Sequence, residues 1–253
     1  MPKTVGIIGG MGPAATVDLM ARIIRLSPVK SDQDGIRMLV DNNPHVPDRN
    51  KAIANAGPSP APVLAAMARG LEAQGADFLV MACNTAHAFQ AAIIDAVDIP
   101  FVGMIQETVA AAKALPSRPK QVALLAAAGC LDAGLYQQAF AAGGIRTLVP
   151  EGSVRESFMR LLYSIKAGNT GPSARREMKA LADHLAGLGG EAVIAGCTEV
   201  PLVMSQDDTR LPFIDSTERL AQAVVDIAYG LREFPRKTPS TQIMEAPPST
   251  AMT

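Results

Sequence analysis

The chain has 253 residues, 48% of them hydrophobic, and carries 23 basic against 24 acidic side chains for a net charge of −1. That is enough apolar material for one large domain or two of about 100–120 residues, and a charge balance that offers nucleic acid or an anionic membrane no electrostatic hold. Three cysteines without CxxC spacing exclude a disulfide scaffold, and no apolar run approaches the roughly 18 residues of a membrane span.

In chain order, Met1-Pro2-Lys3-Thr4 leads directly into a strand over 5–9. The start lacks the apolar segment and cleavage site of an export signal, so a cytoplasmic protein with free thiols is expected. Gly9-Gly10-Met11-Gly12-Pro13 then turns the chain into a helix over 14–26. The glycines do not fit G-x-G-x-x-G and no Gly-Lys-Ser/Thr follows, so the turn is read as a close backbone approach to a small anion, not a nucleotide loop. A strand over 36–42 opens the polar loop Asp41-Asn42-Asn43-Pro44-His45-Val46-Pro47-Asp48-Arg49-Asn50. An arginine there, Arg49, can grip a carboxylate with two donors, although a solvated loop charge has the same pattern.

A helix over 59–74 precedes a strand over 78–82 that ends on Cys83-Asn84-Thr85, followed by a helix over 85–97, a strand at 101–103 and a helix over 105–114. Pro116-Ser117-Arg118-Pro119 reads as a linker. Beyond it the pattern repeats, with strands at 122–126, 145–149, 192–195 and 212–214 and helices at 132–142, 153–166, 171–188 and 216–233. Lys166 closes one of these helices, where a cation is expected in any case. The strand at 192–195 runs into Gly196-Cys197-Thr198-Glu199, so each half presents a cysteine just past an apolar strand. Alternating strands and helices give an α/β fold of two similar parallel-sheet, Rossmann-like domains, 1–115 and 116–209, with the site in the cleft between them. Residues 234–253, rich in Pro, Ser and Thr, are expected to be a flexible tail.

Two thiols facing one carbon can invert it. One thiolate removes a proton while the thiol opposite returns one. A free cysteine titrates at about 8.5 and falls near a helix N-terminus or a cation. Both cysteines are placed just before helix starts, with Thr85 and Thr198 as caps. A single cysteine at a strand end is more often a small buried hydrophobe. Two at equivalent points of a repeat, each with polar successors, weaken that reading. Cys130 has no counterpart and is read as non-catalytic. His45, His87 and His184 have no metal-ligand spacing. His87, four residues after Cys83, is placed for a structural or capping role before a thiol contact.

Four segments carry a family resemblance: Gly6-Ile7-Ile8-Gly9-Gly10-Met11-Gly12-Pro13-Ala14-Ala15-Thr16, Asp41-Asn42-Asn43-Pro44 with Pro47-Asp48-Arg49, Cys83-Asn84-Thr85-Ala86-His87, and Gly196-Cys197-Thr198-Glu199-Val200-Pro201. With them the chain resembles the cofactor-independent aspartate/glutamate racemase superfamily, its aspartate racemase branch above all, from about residue 4 to about 230. The resemblance implies that Cys83 and Cys197 are the acid/base pair. It implies that Arg49 holds the side-chain carboxylate of an acidic amino acid, and that Met11, Asn84, Thr85, Lys166, Thr198 and Glu199 surround the substrate. It also implies no cofactor, no metal, a homodimer, and a last helix that returns residues 210–233 to the first domain. Relatives often carry threonine where this chain has Cys130. Open beside this reading are a glutamate-type or broad-specificity racemase or isomerase of the superfamily, and a non-catalytic amino-acid-binding protein on a two-lobed frame.

Overall fold

The computed structural model describes residues 1–237. Strands β1 (Val5–Gly9), β2 (Met38–Asn42), β3 (Phe78–Met81) and β4 (Phe101–Val102) form one parallel sheet in the order β2-β1-β3-β4. Strands β5 (Gln121–Leu125), β6 (Arg146–Leu148), β7 (Val193–Ala195) and β8 (Phe213–Asp215) form a second in the order β6-β5-β7-β8. The identical order makes the two halves copies of one unit, as the sequence pattern predicts. Central strands β1, β3, β5 and β7 are buried along their whole length. A parallel sheet covered by helices on both faces needs such continuous apolar runs.

The helices are α1 (Pro13–Leu26), α2 (Arg49–Ile53), α3 (Ala61–Ala73), α4 (Gln90–Ile94), α5 (Met104–Lys113), α6 (Ala128–Asp132), α7 (Leu135–Ala141), α8 (Gly152–Lys166), α9 (Pro172–Gly187) and α10 (Ser216–Ala228). Three depart from expectation. The helix expected over 85–97 is a 3-10 turn, Thr85–Phe89, followed by the short α4. The helix expected over 132–142 is split into α6 and α7, because Gly134 takes the left-handed conformation at φ 65°. Helix α2 has no counterpart in the sequence reading. It starts where the Asp48 carboxylate accepts the N–H groups of Asn50 and Lys51.

The two units exchange their last helices. From α10, Leu220, Val224 and Ile227 pack with Val5, Ile7, Leu19 and Phe78 in the core of the first unit. From α5, Ile105, Val109 and Ala112 pack with Val122, Leu124, Ile194 and Ile214 in the core of the second. The expected boundaries at 115/116 and 209/210 are therefore displaced in space. Helix α5 belongs by packing to the second unit, and β8 remains the edge of the second sheet, so the return to the first unit starts at Ser216. Asp215 fixes that return. One of its oxygens caps α10 through the N–H groups of Thr217 and Glu218, while the other pairs with Arg22 of α1 at 2.5 Å.

The predicted tail lies outside the described residues except for 234–237. There the Phe234 ring stands edge-on to Phe78 at 6.2 Å, beneath the Lys3 ammonium.

Candidate active site

In each sheet the strand order reverses about the central pair, so a crevice opens at the carboxyl ends of β1 and β3, and again of β5 and β7. Cys83 follows β3 and Cys197 follows β7 at the same remove. The carboxyl-end loops of the two units meet: Asn50 of α2 accepts the N–H of Gly129 in α6 at 2.8 Å. Tyr136 of α7 donates to the Asn84 amide oxygen at 2.6 Å. Each cysteine residue is only 6% exposed. The cavities of about 480 Å³ beside Arg22 and Glu218 and about 440 Å³ beside Gln106 and Arg232 include neither thiol.

On the second unit, Cys197 donates to Glu199 Oε2 at 2.9 Å, and Thr198 Oγ1 donates to the same oxygen at 3.2 Å. Lys166 Nζ binds the other oxygen at 2.5 Å. Burial, followed by the negative charge of Glu199, pushes the Cys197 thiol well up, with the Lys166 ammonium opposing both. Burial pulls Lys166 down, yet Glu199 and the nearby thiols outweigh it and hold the ammonium above its ordinary range. Lys166 lies close enough to sense charge on Cys197 and on Cys83 alike. Expected to close its helix, it is indeed the last residue of α8, but its side chain is committed to the site, not to the helix carbonyls.

On the first unit, the structure corrects the expected capping. The residues after Cys83 and Cys197 begin only 3-10 turns, Thr85–Phe89 and Val200–Leu202. Asn84 and Glu199 stand at the cap positions without a side-chain cap bond, so neither Thr85 nor Thr198 is a cap. Such short turns supply little dipole. The thiol of Cys197 is raised, where a helix N-terminus would have lowered it. Asn84 is buried and held at both ends of its amide: its oxygen accepts from Tyr136 and its nitrogen donates to Ser216 Oγ at 3.1 Å. Thr85 is buried beside it.

His87 does not touch the thiol. Its Nδ1 stands 2.8 Å from the Cys83 carbonyl, and its Nε2 accepts the Met104 N–H at 3.0 Å. This pattern fixes the neutral tautomer with the proton on Nδ1. Burial pushes the imidazole down to about 4.

Arg49 opens α2, and its Nη1 donates to the carbonyls of Val46 and Pro47 at 3.1 and 3.0 Å. Its Nε is buried with no partner among the described residues. A guanidinium with an unspent donor has the chemistry to take an oxyanion. Met11 is buried in the turn after β1, in one apolar cluster with Cys83. That turn lies against the loop after β2, since a Cβ on Gly10, at φ 93°, would come 2.3 Å from the Asn43 carbonyl. Cys130 is fully buried among apolar side chains. Among the described residues no group of three or more His, Cys, Asp or Glu stands together as a metal-binding set.

The sequence reading missed Tyr136, Thr108, Ser216 and Asn50. Tyr136 and Asn50 bond across the seam between units, Thr108 and Ser216 lie on the two exchanged helices, and nothing in their local sequence marks any of them. The proximity of His87 to Cys83 was legible from spacing, but the atom it holds was not.

Comparison with known proteins gives concordant results. The profile of Asp/Glu/hydantoin racemases matches residues 8–224. An aspartate racemase from Picrophilus torridus superposes with a TM-score of 0.81 at 31% identity, covering 90% of this chain and 94% of that one. The broad specificity amino-acid racemase RacX of Bacillus subtilis is 24% identical over 225 residues, 87% of this chain and 96% of its own length. The glutamate racemase isoform RacE1 of Bacillus anthracis shares the fold, with a TM-score of 0.64 at 19% identity over 94% of this chain and 85% of that one.

Proposed function

The chain belongs to the Asp/Glu/hydantoin racemase family, and from that premise we propose that it inverts the α-carbon of an acidic amino acid, aspartate foremost, with Cys83 and Cys197 as the two acid/base groups and no cofactor. The observation that carries this reading is the pair of buried thiols at equivalent carboxyl edges of two like sheets, with Arg49 presenting an unspent donor on the first.

In one direction the thiolate of one cysteine takes the α-proton, the electron pair stays on the α-carbon, and the thiol of the other cysteine donates its proton to the opposite face. The enzyme leaves the turnover with the two protonation states interchanged. The reverse direction uses the same groups in exchanged roles. Glu199, already the acceptor of the Cys197 proton, holds that proton when Cys197 acts as base. The substrate ammonium and the N–H groups after each cysteine offset the developing negative charge. Arg49 takes the side-chain carboxylate. Lys166 spends one of its three donors on Glu199 and offers the others to the substrate, which Met11, Asn84, Thr85 and Thr198 enclose. The protein acts as a homodimer in this reading.

A second reading, broad specificity, draws support from the match along nearly the whole length of RacX. A panel of amino acids separates the two: equal or faster turnover of neutral or basic substrates favours the second, and preference for aspartate over glutamate and the rest favours the first. The mechanism is tested with Cys83→Ser and Cys197→Ser, following L- and D-aspartate in deuterated water by NMR and chiral chromatography. Each variant should lose inversion by at least about a hundredfold. Near-normal inversion by both refutes the two-thiol mechanism.

A further inference from the structure

A buried polar cluster adjoins the Cys83 segment and is built from four separate elements. Asn84 comes from the loop after β3, Thr108 from α5, Tyr136 from α7 and Ser216 from the first turn of α10. All four are buried. The Tyr136 hydroxyl donates to Asn84 Oδ1 at 2.6 Å and lies 3.4 Å from Thr108 Oγ1, whose own proton goes to the Met104 carbonyl at 2.7 Å. Ser216 receives the Asn84 amide at 3.1 Å. The same tyrosine reaches the other thiol segment with its ring. A Cβ placed on Gly196, the residue before Cys197, would meet Tyr136 Cε2 at 3.0 Å. Phe140 stacks on the ring at 6.1 Å and holds it in place. One side chain of the second unit therefore hydrogen-bonds the residue after Cys83 and abuts the residue before Cys197.

From this double contact we infer that Tyr136 is a positioning residue that sets the Cys83 half of the site against the Cys197 half. The inference rests on the two-thiol racemase reading. The phenol stays protonated, because burial pushes it up, so it is a dependable donor. Its bond fixes which end of the Asn84 amide points to the second unit and leaves one N–H of that amide for the substrate. A buried amide that loses its partner must turn or admit water, and Cys83, one residue away, moves with it. The ring is a spacer, and its hydroxyl is the latch. Proton transfer tolerates little misplacement of the reacting atoms, so loss of the latch alone should be felt in the rate.

Tyr136→Phe keeps the ring and its contact with Gly196 and removes only the hydroxyl. Inversion of aspartate should fall about tenfold or more in kcat with a much smaller change in KM. The loss should fall on the Cys83 side. In deuterated water, the enantiomer whose α-proton Cys197 removes should still exchange that proton at nearly the wild-type rate without inverting, while the other enantiomer loses exchange and inversion together. Ser216→Ala, which frees the other end of the amide, should show the same asymmetry to a lesser degree, and it decides the matter if Tyr136→Phe does not fold by circular dichroism. Unchanged kcat, or equal loss of exchange for both enantiomers, overturns the positioning role. Absence of aspartate inversion in the unaltered protein would instead overturn the reading beneath it.

Discussion

Replacing Glu199 with glutamine changes one atom in the tightest polar cluster of the site. The carboxylate is buried, and its two oxygens take Lys166 Nζ at 2.5 Å, Cys197 Sγ at 2.9 Å and Thr198 Oγ1 at 3.2 Å. In Glu199→Gln the amide oxygen keeps Lys166, which can only donate, so the new N–H₂ faces the thiol. A donor then meets a donor, and Cys197 must turn away or accept instead. Two effects of opposite sign follow. The negative charge that helps hold the thiol up disappears while the Lys166 charge remains, so Cys197 ionises at lower pH and the alkaline rise of activity moves down. The acceptor for its proton is also lost. A positioned acid/base group contributes about 10²- to 10⁴-fold. The low end applies here, because Lys166 is 34% exposed and lets water approach. The expected loss is about a hundredfold in kcat, or about 2.7 kcal/mol of barrier. Folding stability should fall by only about 1–2 kcal/mol, since the freed ammonium regains water in a way a fully buried one does not. The assay is chiral chromatography of L-aspartate turnover from neutral to alkaline pH, with urea unfolding alongside. A rate and a pH profile both unchanged from the parent protein would refute the proton-accepting role of Glu199.

His87 gives a pH signature of folding. Its midpoint near 4 in the fold against an ordinary 6.5 means that the unfolded chain binds the extra proton first, so acid favours unfolding. About 3 kcal/mol of stability should be fully present above pH 6.5 and lost as the pH falls to about 4. In urea titrations His87→Gln should lack this component, and parallel pH curves for parent and variant would show that the imidazole is not buried neutral. Arg49→Lys exchanges a forked donor for a point charge. The KM for aspartate should rise about tenfold to a hundredfold, with little effect on a neutral amino acid that is turned over. Equal effects on both substrates in steady-state kinetics would remove Arg49 from the side-chain carboxylate.

Much of this protein is written in short stretches of its sequence. Apolar runs such as 78–82 and 192–195 specify strands buried on both faces. The recurrence of one strand-and-thiol pattern specifies two like units. The segments around Gly9, Arg49, Cys83 and Cys197 specify the family. These features survive translation from sequence to structure because they depend on neighbours a few residues apart. What depends on distant partners was decided only by the fold. Periodicity shows that α5 and α10 each have an apolar face, but not which core receives it, and packing sends each helix into the other unit. Spacing leaves Lys166 a helix-end cation, and although the resemblance puts it and Glu199 around the substrate, only the packing of α8 against the turn after β7 brings the two to 2.5 Å. His87 reads as a residue one turn from a thiol until the N-terminus of α5 arrives to occupy its second nitrogen. Tyr136 carries no local sign at all, since a tyrosine's hydroxyl takes its meaning from the partner it finds in the interior, and that partner, Asn84, lies in the other unit. Local propensity and hydrophobic period determine which elements form. Burial of polar atoms, most of them paired where those elements meet, determines the site.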